Sequence, residues 1–250
     1  MFRPDSFRPA PPTHVTTRVA LVFLSLLRAA SAASPDFCVE FEVETTQGNG
    51  SFLVGVHETW APLGAGHFKE LVEANYYDDT RFFRVMPSFM VQFGLSGDPA
   101  ISAIWSARSI EDEPVKQTNS FGRVTFAMSS SPNSRTTQIF INYQDNRHLD
   151  ESGFAPFGEV LGRGMEVVRE IFDCGEAPNQ NWIRAQGNAY LDKEFPNLSK
   201  IFTARIADPS DCVQASAMVL SSGAAGSPRA AFTARTLAVL AVVFVHIVAR

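Results

Sequence analysis

An arginine and a glutamine stand out in the otherwise apolar segment RFFRVMPSFMVQFG, residues 81–94. Arg84 lies in the middle of the run, and Gln92 follows eight positions later. A guanidinium keeps its charge at any ordinary pH, and burying it without a partner is costly. A solvated outer face or a structural ion pair would account for such an arginine. However, Phe89, Met90 and the later Phe140 are flat or flexible neighbours, and such walls around one fixed donor suit a small apolar ring attached to a peptide. Proline carries such a ring.

Signatures of other chemistries are absent from the sequence. There is no G-x-S-x-G motif, no G-x-G-x-x-G motif and no Walker loop. No C-x-x-C pair occurs, and the histidines at 14, 57, 67, 148 and 246 do not have the spacing of metal ligands. The carboxylates are scattered, so a two-carboxylate glycosidase has no support. We therefore expect chemistry that uses no nucleophile, no metal and no cofactor.

Composition indicates an ordinary globular protein. The 250 residues are 45% hydrophobic and include 21 phenylalanines, which is enough to bury a core without metal sites. The formal net charge is −5, and no basic stripe is present, so nucleic acid is not an expected partner.

The N-terminal segment has the pattern of a signal peptide. Arg3, Arg8 and Arg18 precede the apolar run 19–27, and Ala-Ser-Ala at 30–32 has the form of a signal-peptidase site. We predict that residues 1–32 are a signal peptide. A buried N-terminal helix and an organelle-targeting presequence are the alternatives.

The C-terminal segment has the pattern of a membrane or lipid anchor. Its apolar run, 237–249, has thirteen residues, fewer than the roughly 20 that a spanning helix needs. A small triplet, Ser221 to Gly223, and a spacer rich in small residues precede it. We predict a linker at 214–236, a tail at 237–250 and a GPI anchor attached near the triplet. A retained, tilted helix is the alternative.

The cysteines and sequons agree with a secreted protein. Cys38 opens the first strand-like segment and Cys212 closes the last one, so in an oxidising compartment the two can form a disulfide that clamps the ends of one domain. Cys174 is left as a free thiol. Asn49 and Asn197 begin glycosylation sequons. The expected location is the secretory pathway, at the cell surface or in an endomembrane lumen such as the endoplasmic reticulum.

Hydrophobic periodicity predicts one mainly β domain over residues 33–213. Alternating apolar residues around a Gly-Asn-Gly turn indicate a hairpin, and helical spacing of apolar residues indicates two helices. A long polar loop is expected at 95–120. About eight short strands and two helices favour a closed eight-stranded antiparallel barrel capped by two helices. The predicted strands lie at 37–57 (two strands), 81–94 (two strands broken at Pro87 and Ser88), 122–128, 137–143, 157–161 and 201–208, and the helices at 62–74 and 164–172.

The opening segment resembles a known family signature. FFRVMPSFMVQFG is similar to the pattern F-x-R-V-x-x-x-F-x-x-Q of cyclophilin-type peptidyl-prolyl isomerases. Two further blocks match in order, FAMSSSPNSRTTQIFIN at 126–142 and LDESGFAPFGEV at 149–160. The resemblance covers nearly all of residues 37–208, and its details are similar to the branch near bacterial cyclophilins.

The resemblance implies a role for each matching residue. Arg84 would be the catalytic arginine, with Gln92 beside it. The proline pocket would be lined by Phe89, Met90, Phe140 and Leu149, and the groove for the residue before proline by Ala127, Met128 and Gln138. The implied function is cis–trans isomerisation of X–Pro bonds that assists the folding of secretory or surface proteins. The implied partners are proline-containing peptides or unfolded proteins, and the implied oligomeric state is a monomer.

Several positions depart from the family pattern. Phe83 stands where many members have histidine, and Phe154 occupies the position of a common active-site histidine. His148 lies where cyclosporin-sensitive members have tryptophan, and Phe93-Gly94-Leu95 replaces the usual Gly-Gly-Asp. We still expect His148 and Phe154 to contact substrate and the activity to remain. Weak or absent cyclosporin binding is expected.

Two other functions remain open at this point. One is a catalytically weak cyclophilin-like module that binds proline-containing segments at the cell surface, an interpretation based on the two lost histidines. The other is a secreted β-barrel that binds a small ligand or a glycan. The second does not account for Arg84, Gln92 and Phe140 together.

Overall fold

One eight-stranded antiparallel sheet forms the body of the computed structural model, which describes residues 34–223. Its strands run in the order β3-β4-β6-β5-β7-β2-β1-β8. The predicted mainly β architecture is therefore confirmed. The strands are β1 Phe37–Thr45, β2 Gly48–Val56, β3 Arg84–Met86, β4 Met90–Phe93, β5 Arg123–Phe126, β6 Ile139–Asn142, β7 Pro156–Val160 and β8 Ile201–Ile206.

The first hairpin is confirmed, with a different turn from the predicted one. Thr45 pairs with Gly48, and Phe37 pairs with Val56 at the open end. The turn is therefore made by residues 46 and 47, and the predicted turn residues begin β2 instead. Gly48 has a φ of +114°, which a glycine adopts without strain, and the Thr45 hydroxyl donates to the Gly48 carbonyl at 2.9 Å.

The prediction of a closed barrel is wrong. The sheet curls into a half-barrel, and no ladder joins its edge strands β3 and β8 within residues 34–223. A single bridge between Arg81 and Lys200 lies beside them. The reason is that the outer edge of β3 has another partner: the Val85 amide donates to the Gly175 carbonyl at 2.9 Å. The segment that leads into the helices after residue 175 therefore covers this edge.

The prediction of only two helices is also wrong. Both predicted helices are present, but the second ends at Val168 rather than Phe172. The expected loop at 95–120 contains a further helix, and Asp98 caps its N-terminus by accepting a hydrogen bond from Ala100 N at 2.8 Å. Other helices follow residue 179 and residue 208. The helices of the described region are α1 Pro62–Glu73, α2 Pro99–Ser106, α3 Gly164–Val168, α4 Gln180–Gln186, α5 Asn188–Glu194 and α6 Pro209–Gly223.

The termini of the domain are joined at one place. Cys38 on β1 and Cys212 on α6 form a disulfide, with their Cα atoms 5.7 Å apart. Cys174 carries the free thiol, and burial raises its pKa to about 11. Helix α6 continues through residues 214–223, the first part of the predicted linker. The predicted signal peptide at 1–32, the rest of the linker and the tail at 237–250 lie outside the described residues.

None of the helices between residues 34 and 223 combines the length and the apolar character required to cross a bilayer.

The main core fills the inside of the curled sheet. Alternate residues of the central strands point into it, including Val85, Val91, Val124 and Ile141, all at most 1% exposed. Since side chains alternate along a strand, the residues between them face outward. This alternation places a second row of side chains on the outer face of β3, β4, β5 and β6.

Candidate active site

Arg84, Gln92 and Phe140 form a row across three neighbouring strands. Arg84 on β3 pairs with Gln92 on β4, and Gln92 pairs with Phe140 on β6. Directly paired residues of antiparallel strands project on the same face of a sheet. The hairpin between β3 and β4, with its turn at residues 87–89, therefore places the two polar residues side by side on the outer face.

A chain of hydrogen bonds holds the Arg84 guanidinium. Its Nη1 donates to Gln92 Oε1 at 3.2 Å, and Gln92 Nε2 donates to Gln138 Oε1 at 2.9 Å. On the other side, Nε donates to Glu176 Oε1 at 2.6 Å, and Nη2 contacts the same oxygen. The Arg84 side chain is 29% exposed, so its charge is neither fully solvated nor unpaired.

Apolar side chains, together with Arg84, Gln92 and Gln138, line a cavity of about 380 Å³ on the outer face. Of the eleven residues predicted to act on or contact substrate, ten line it: Arg84, Phe89, Met90, Gln92, Ala127, Met128, Gln138, Phe140, Leu149 and Phe154. The structure thus brings together residues from β3, β4, β6 and three separate loops. Hydroxyl, amide and guanidinium side chains complete the lining, and a concave site that combines apolar walls with polar groups is typical of small-ligand binding.

His148 is the predicted contact residue that does not line the cavity. Its ring stacks on Phe89, with the ring centroids 6.0 Å apart and the planes 27° from parallel. Phe154 does line the cavity, and its ring meets Phe140 edge to face at 5.7 Å. Phe154 is therefore an apolar part of the lining, and the exposed His148 ring contacts Phe89.

A buried polar network lies beneath the pocket and was missed by sequence reasoning. Asn119 is fully buried; its Nδ2 donates to Asp150 Oδ1 at 2.7 Å and to the Phe154 carbonyl at 2.8 Å. Its Oδ1 accepts from Thr125 Oγ1 at 2.9 Å and from Asn142 Nδ2 at 3.3 Å. Asn119 thereby fixes the loop that carries Leu149 and Phe154. Nothing local to Asn119 in the sequence indicates this role.

Asn146 extends the network to the other wall of the pocket. It is also fully buried, and its Nδ2 donates to the Phe89 carbonyl at 2.9 Å and to Asn142 Oδ1 at 2.7 Å. The Asn146 Oδ1 atom is buried without a hydrogen-bond partner among the described residues, so it is the Nδ2 group that fixes this side chain. Phe89 and Phe154 are therefore held by one connected set of hydrogen bonds.

His67 on α1 supports the rim formed by Thr136. Its Nε2 lies 2.6 Å from the Thr136 carbonyl, so this nitrogen carries the proton and donates. Burial lowers the pKa of His67, although the hydrogen bond opposes that shift. Ser129, Ser134 and Thr136 also line the cavity, and none of them was predicted as a site residue.

Helix α4 contributes two further residues that sequence reasoning missed. Gln180 and Arg184 line the cavity on its Arg84 side. The sequence does contain a signal for this helix, an asparagine at its start and a glycine at its end. Asn179 caps the helix by accepting hydrogen bonds from the amides of Asn181 and Trp182, and Gly187, at a φ of +60°, ends it.

Phe83, the unexpected residue beside Arg84, packs under this helix. It is 1% exposed and joins a second apolar cluster with Leu95, Ile183, Leu191 and Leu198. Because Ile183 lies on α4 and Leu191 on α5, Phe83 anchors both helices against β3. A histidine at this position would place a polar ring in an apolar cluster.

Comparisons with known proteins agree with this geometry. Residues 39–187 match the family model described as cyclophilin type peptidyl-prolyl cis-trans isomerase/CLD. A peptidyl-prolyl cis-trans isomerase of Acinetobacter baylyi is 35% identical over 159 residues, covering 62% of this chain and 81% of the relative. Peptidyl-prolyl cis-trans isomerase A of Dickeya dadantii is 32% identical over 170 residues, covering 63% of this chain and 85% of the relative.

A solved structure supports the fold. Cyclophilin AquaCyp293 from Hirschia baltica aligns with a TM-score of 0.50 at 19% identity, over 70% of this chain and 76% of that chain. At this level of identity, the likeness shows the half-barrel fold alone.

Proposed function

Since the chain belongs to the cyclophilin-type peptidyl-prolyl cis-trans isomerase family, we propose that the outer-face cavity binds proline and that Arg84 catalyses rotation of the X–Pro bond. The observation that carries this proposal is the row of Arg84, Gln92 and Phe140. It puts a charged donor beside the apolar part of the pocket, which includes Phe140 and Met90.

The reaction requires a donor that prefers a twisted amide. The partial double bond of X–Pro sets a barrier near 20 kcal/mol, and rotation removes the conjugation. The proline nitrogen then becomes pyramidal and gains a lone pair that can accept a hydrogen bond. A guanidinium near that nitrogen stabilises the twisted state more than either planar state, which is the condition for catalysis. Each tenfold acceleration requires about 1.4 kcal/mol of this preference.

The contacts of Arg84 leave donors for substrate. A guanidinium has five N–H groups. One goes from Nη1 to Gln92, and the contacts with Glu176 take Nε and one N–H of Nη2. Each terminal nitrogen therefore retains one N–H for a prolyl amide, while Gln92 and Glu176 fix the plane of the group.

The apolar walls supply the positioning. Phe89, Met90, Phe140, Leu149 and Phe154 surround the place for the proline ring. Ala127, Met128 and Gln138 border the part of the groove that would take the preceding residue. If the pocket holds the proline ring, rotation about the X–Pro bond moves only the preceding residue and its carbonyl. No bond is broken, so the reaction needs no nucleophile.

The test is a proline-isomerisation assay on short peptides. We expect Arg84→Ala to lower kcat/KM at least tenfold while circular dichroism and thermal unfolding stay close to those of the parent. The matched control is Arg163→Ala, which removes an 81% exposed arginine that is paired with Glu166 and does not line the cavity. Near-parental turnover in Arg84→Ala would refute the role of this residue.

We propose that the substrates are newly made proteins that fold in the secretory pathway or reach the cell surface. The disulfide between Cys38 and Cys212 supports an oxidising compartment, and both sequon asparagines, Asn49 and Asn197, have exposed side chains. Expression of the full chain in a secretory host should give a glycan that peptide N-glycosidase removes. Release from membranes by a phosphatidylinositol-specific phospholipase would support a GPI anchor. A fully reduced, unglycosylated protein in the cytosol would contradict the location.

A second candidate is a module that binds proline-containing peptides with little turnover. The contact between Glu176 and Arg84 favours it, because a carboxylate offsets part of the charge that the twisted amide would use. Peptide affinity and turnover measured on one preparation separate the two functions. Micromolar binding with no acceleration would establish the binding module.

A further inference from the structure

We propose that the groove continues past Arg84 into a cationic subsite for an acidic side chain that follows the substrate proline. This inference rests on the proposed isomerase function and names the class of substrate preferred. The subsite consists of Arg184 and Gln180 on α4 together with Asn179, Asn181 and Pro178.

A second cavity adjoins the proline cavity at this end. It measures about 380 Å³ and shares Arg84, Gln180 and Arg184 with the first. It shares none of the residues that border the opposite end, such as Ala127 and Met128. If the residue before proline lies along Ala127 and Met128, the chain after proline leaves the pocket toward Arg184.

The charges of the second cavity leave one cation free. Glu176 is its acidic residue, and that carboxylate contacts Arg84. Arg184 is exposed and forms no ion pair within 4.0 Å to any described residue. The remaining lining residues are amides and a proline, so the cavity carries a net positive charge.

The position of Arg184 is set by the apolar side of its helix. Ile183, the preceding residue, is fully buried against Phe83 and Leu191, and this packing directs the Arg184 side of α4 toward the groove.

A carboxylate suits this arrangement. The guanidinium of Arg184 offers planar paired donors, and Gln180 and Asn181 can donate through their amides. The partner is exposed, so the gain is that of an exposed ion pair, about a two- to fivefold preference. Aspartate or glutamate one to three residues after proline is within reach of such a site, and lysine would be disfavoured.

The experiment compares amidated peptides that differ only by Glu or Gln at the first, second or third position after proline. Amidation removes the terminal carboxylate, so only the side chain supplies the charge. The enzymes are the parent protein, Arg184→Gln, Arg184→Glu and the control Arg163→Gln. Two quantities are measured for each peptide pair: the Glu-to-Gln ratio of kcat/KM and the same ratio of affinities by fluorescence anisotropy.

In the parent protein and in Arg163→Gln, we expect the best position to favour Glu about two- to fivefold at low ionic strength. The ratio should approach one in Arg184→Gln and fall below one in Arg184→Glu. About 1 M salt should also remove it, because the screening length is then near 3 Å.

The outcomes separate this inference from the proposed function. Equal kcat/KM and equal affinity for Glu and Gln peptides in the parent protein would overturn the subsite even if both peptides are isomerised. A preference that survives in Arg184→Gln would overturn the assignment to Arg184. Absence of turnover with every peptide would overturn the isomerase function instead, and the affinity ratio would then decide on the subsite.

Discussion

The Glu176 carboxylate contacts the Arg84 guanidinium at two nitrogens, with Nε 2.6 Å from Oε1. Glu176 lies just after Gly175, the residue that pairs with Val85 along the outer edge of β3. The same chain segment therefore covers the edge of the sheet and supplies a partner for the arginine next to that edge. A carboxylate so placed can orient the donor or weaken it, and the two effects have opposite consequences for turnover.

We expect Glu176 to act as a positioning residue. Glu176→Ala should lower kcat about two- to tenfold with a smaller change in KM, since the arginine loses one of its two fixed partners. Glu176→Gln should restore most of the activity, because its amide oxygen can still accept from Nε. A rise of turnover in Glu176→Ala would instead show that the carboxylate restrains Arg84 and would favour the weakly catalytic module.

Phe140 should affect both substrate binding and turnover. Phe140→Ala opens the pocket floor, so we expect KM to rise and kcat to fall, whereas Phe140→Leu should have milder effects on both. The buried ring also packs against Phe154, so unfolding should become easier by about 3–5 kcal/mol in the alanine variant. Phe121→Ala, at a 46% exposed residue that lines neither cavity, is the control. Unchanged kinetics in a folded Phe140→Ala would exclude this pocket as the proline site.

Asn119 should be more important for stability than its size suggests. Asn119→Ala removes the partner of the Thr125 hydroxyl and of the Phe154 carbonyl, at a cost of about 1–3 kcal/mol for each group that stays buried. Asn142 keeps its bond to the Arg123 carbonyl, and Asp150 keeps its bond from the backbone amide of residue 119. Urea unfolding measures this loss. Asn181→Ala, at an exposed position, should stay within about 0.5 kcal/mol of the parent. An equally small effect of Asn119→Ala would mean that water replaces the network.

His67 should make stability depend on pH in mildly acidic solution. Burial lowers its pKa in the folded protein, so between the folded pKa and the unfolded value near 6.5 the unfolded chain binds more protons. The contribution of His67 to the free energy of unfolding is therefore complete above about pH 6.5, falls as the pH drops toward the folded pKa, and levels off below that pKa. Urea midpoints from pH 8 to pH 5 should show this slope. In His67→Gln, which keeps a donor for Thr136, the slope in this range should be reduced; an unchanged slope would assign it to another group.

The outer-face row was predictable because its determinants are local. Pro87 cannot donate to a ladder, so the chain turns there, and the turn sets the pairing of Arg84 with Gln92. Phe140 was predicted as a pocket residue because the block at 126–142 resembles a motif of the family. The open edge was not predictable, since it depends on Val85 meeting Gly175, ninety positions away, without any periodic pattern.

Helices α4 and α5 escaped prediction for a different reason. Each has seven residues, and the two are separated by Gly187, so neither shows more than two turns of helical periodicity. The apolar face of each is a single buried residue, Ile183 or Leu191, packed near Phe83. Their stability comes from this tertiary cluster. Because α4 was not predicted, Arg184, on which the proposed substrate preference depends, was not predicted as a site residue either.

The pairing of Arg84 with Gln92 makes enzymatic activity a measure of correct strand register. A slip of one residue between β3 and β4 would exchange the two faces of the strand, turning the guanidinium inward and Val85 outward. Such a chain could keep most of its secondary structure and would have no active site. Specific activity therefore counts the molecules whose hairpin is correctly aligned, which spectroscopic measures of strand content cannot do.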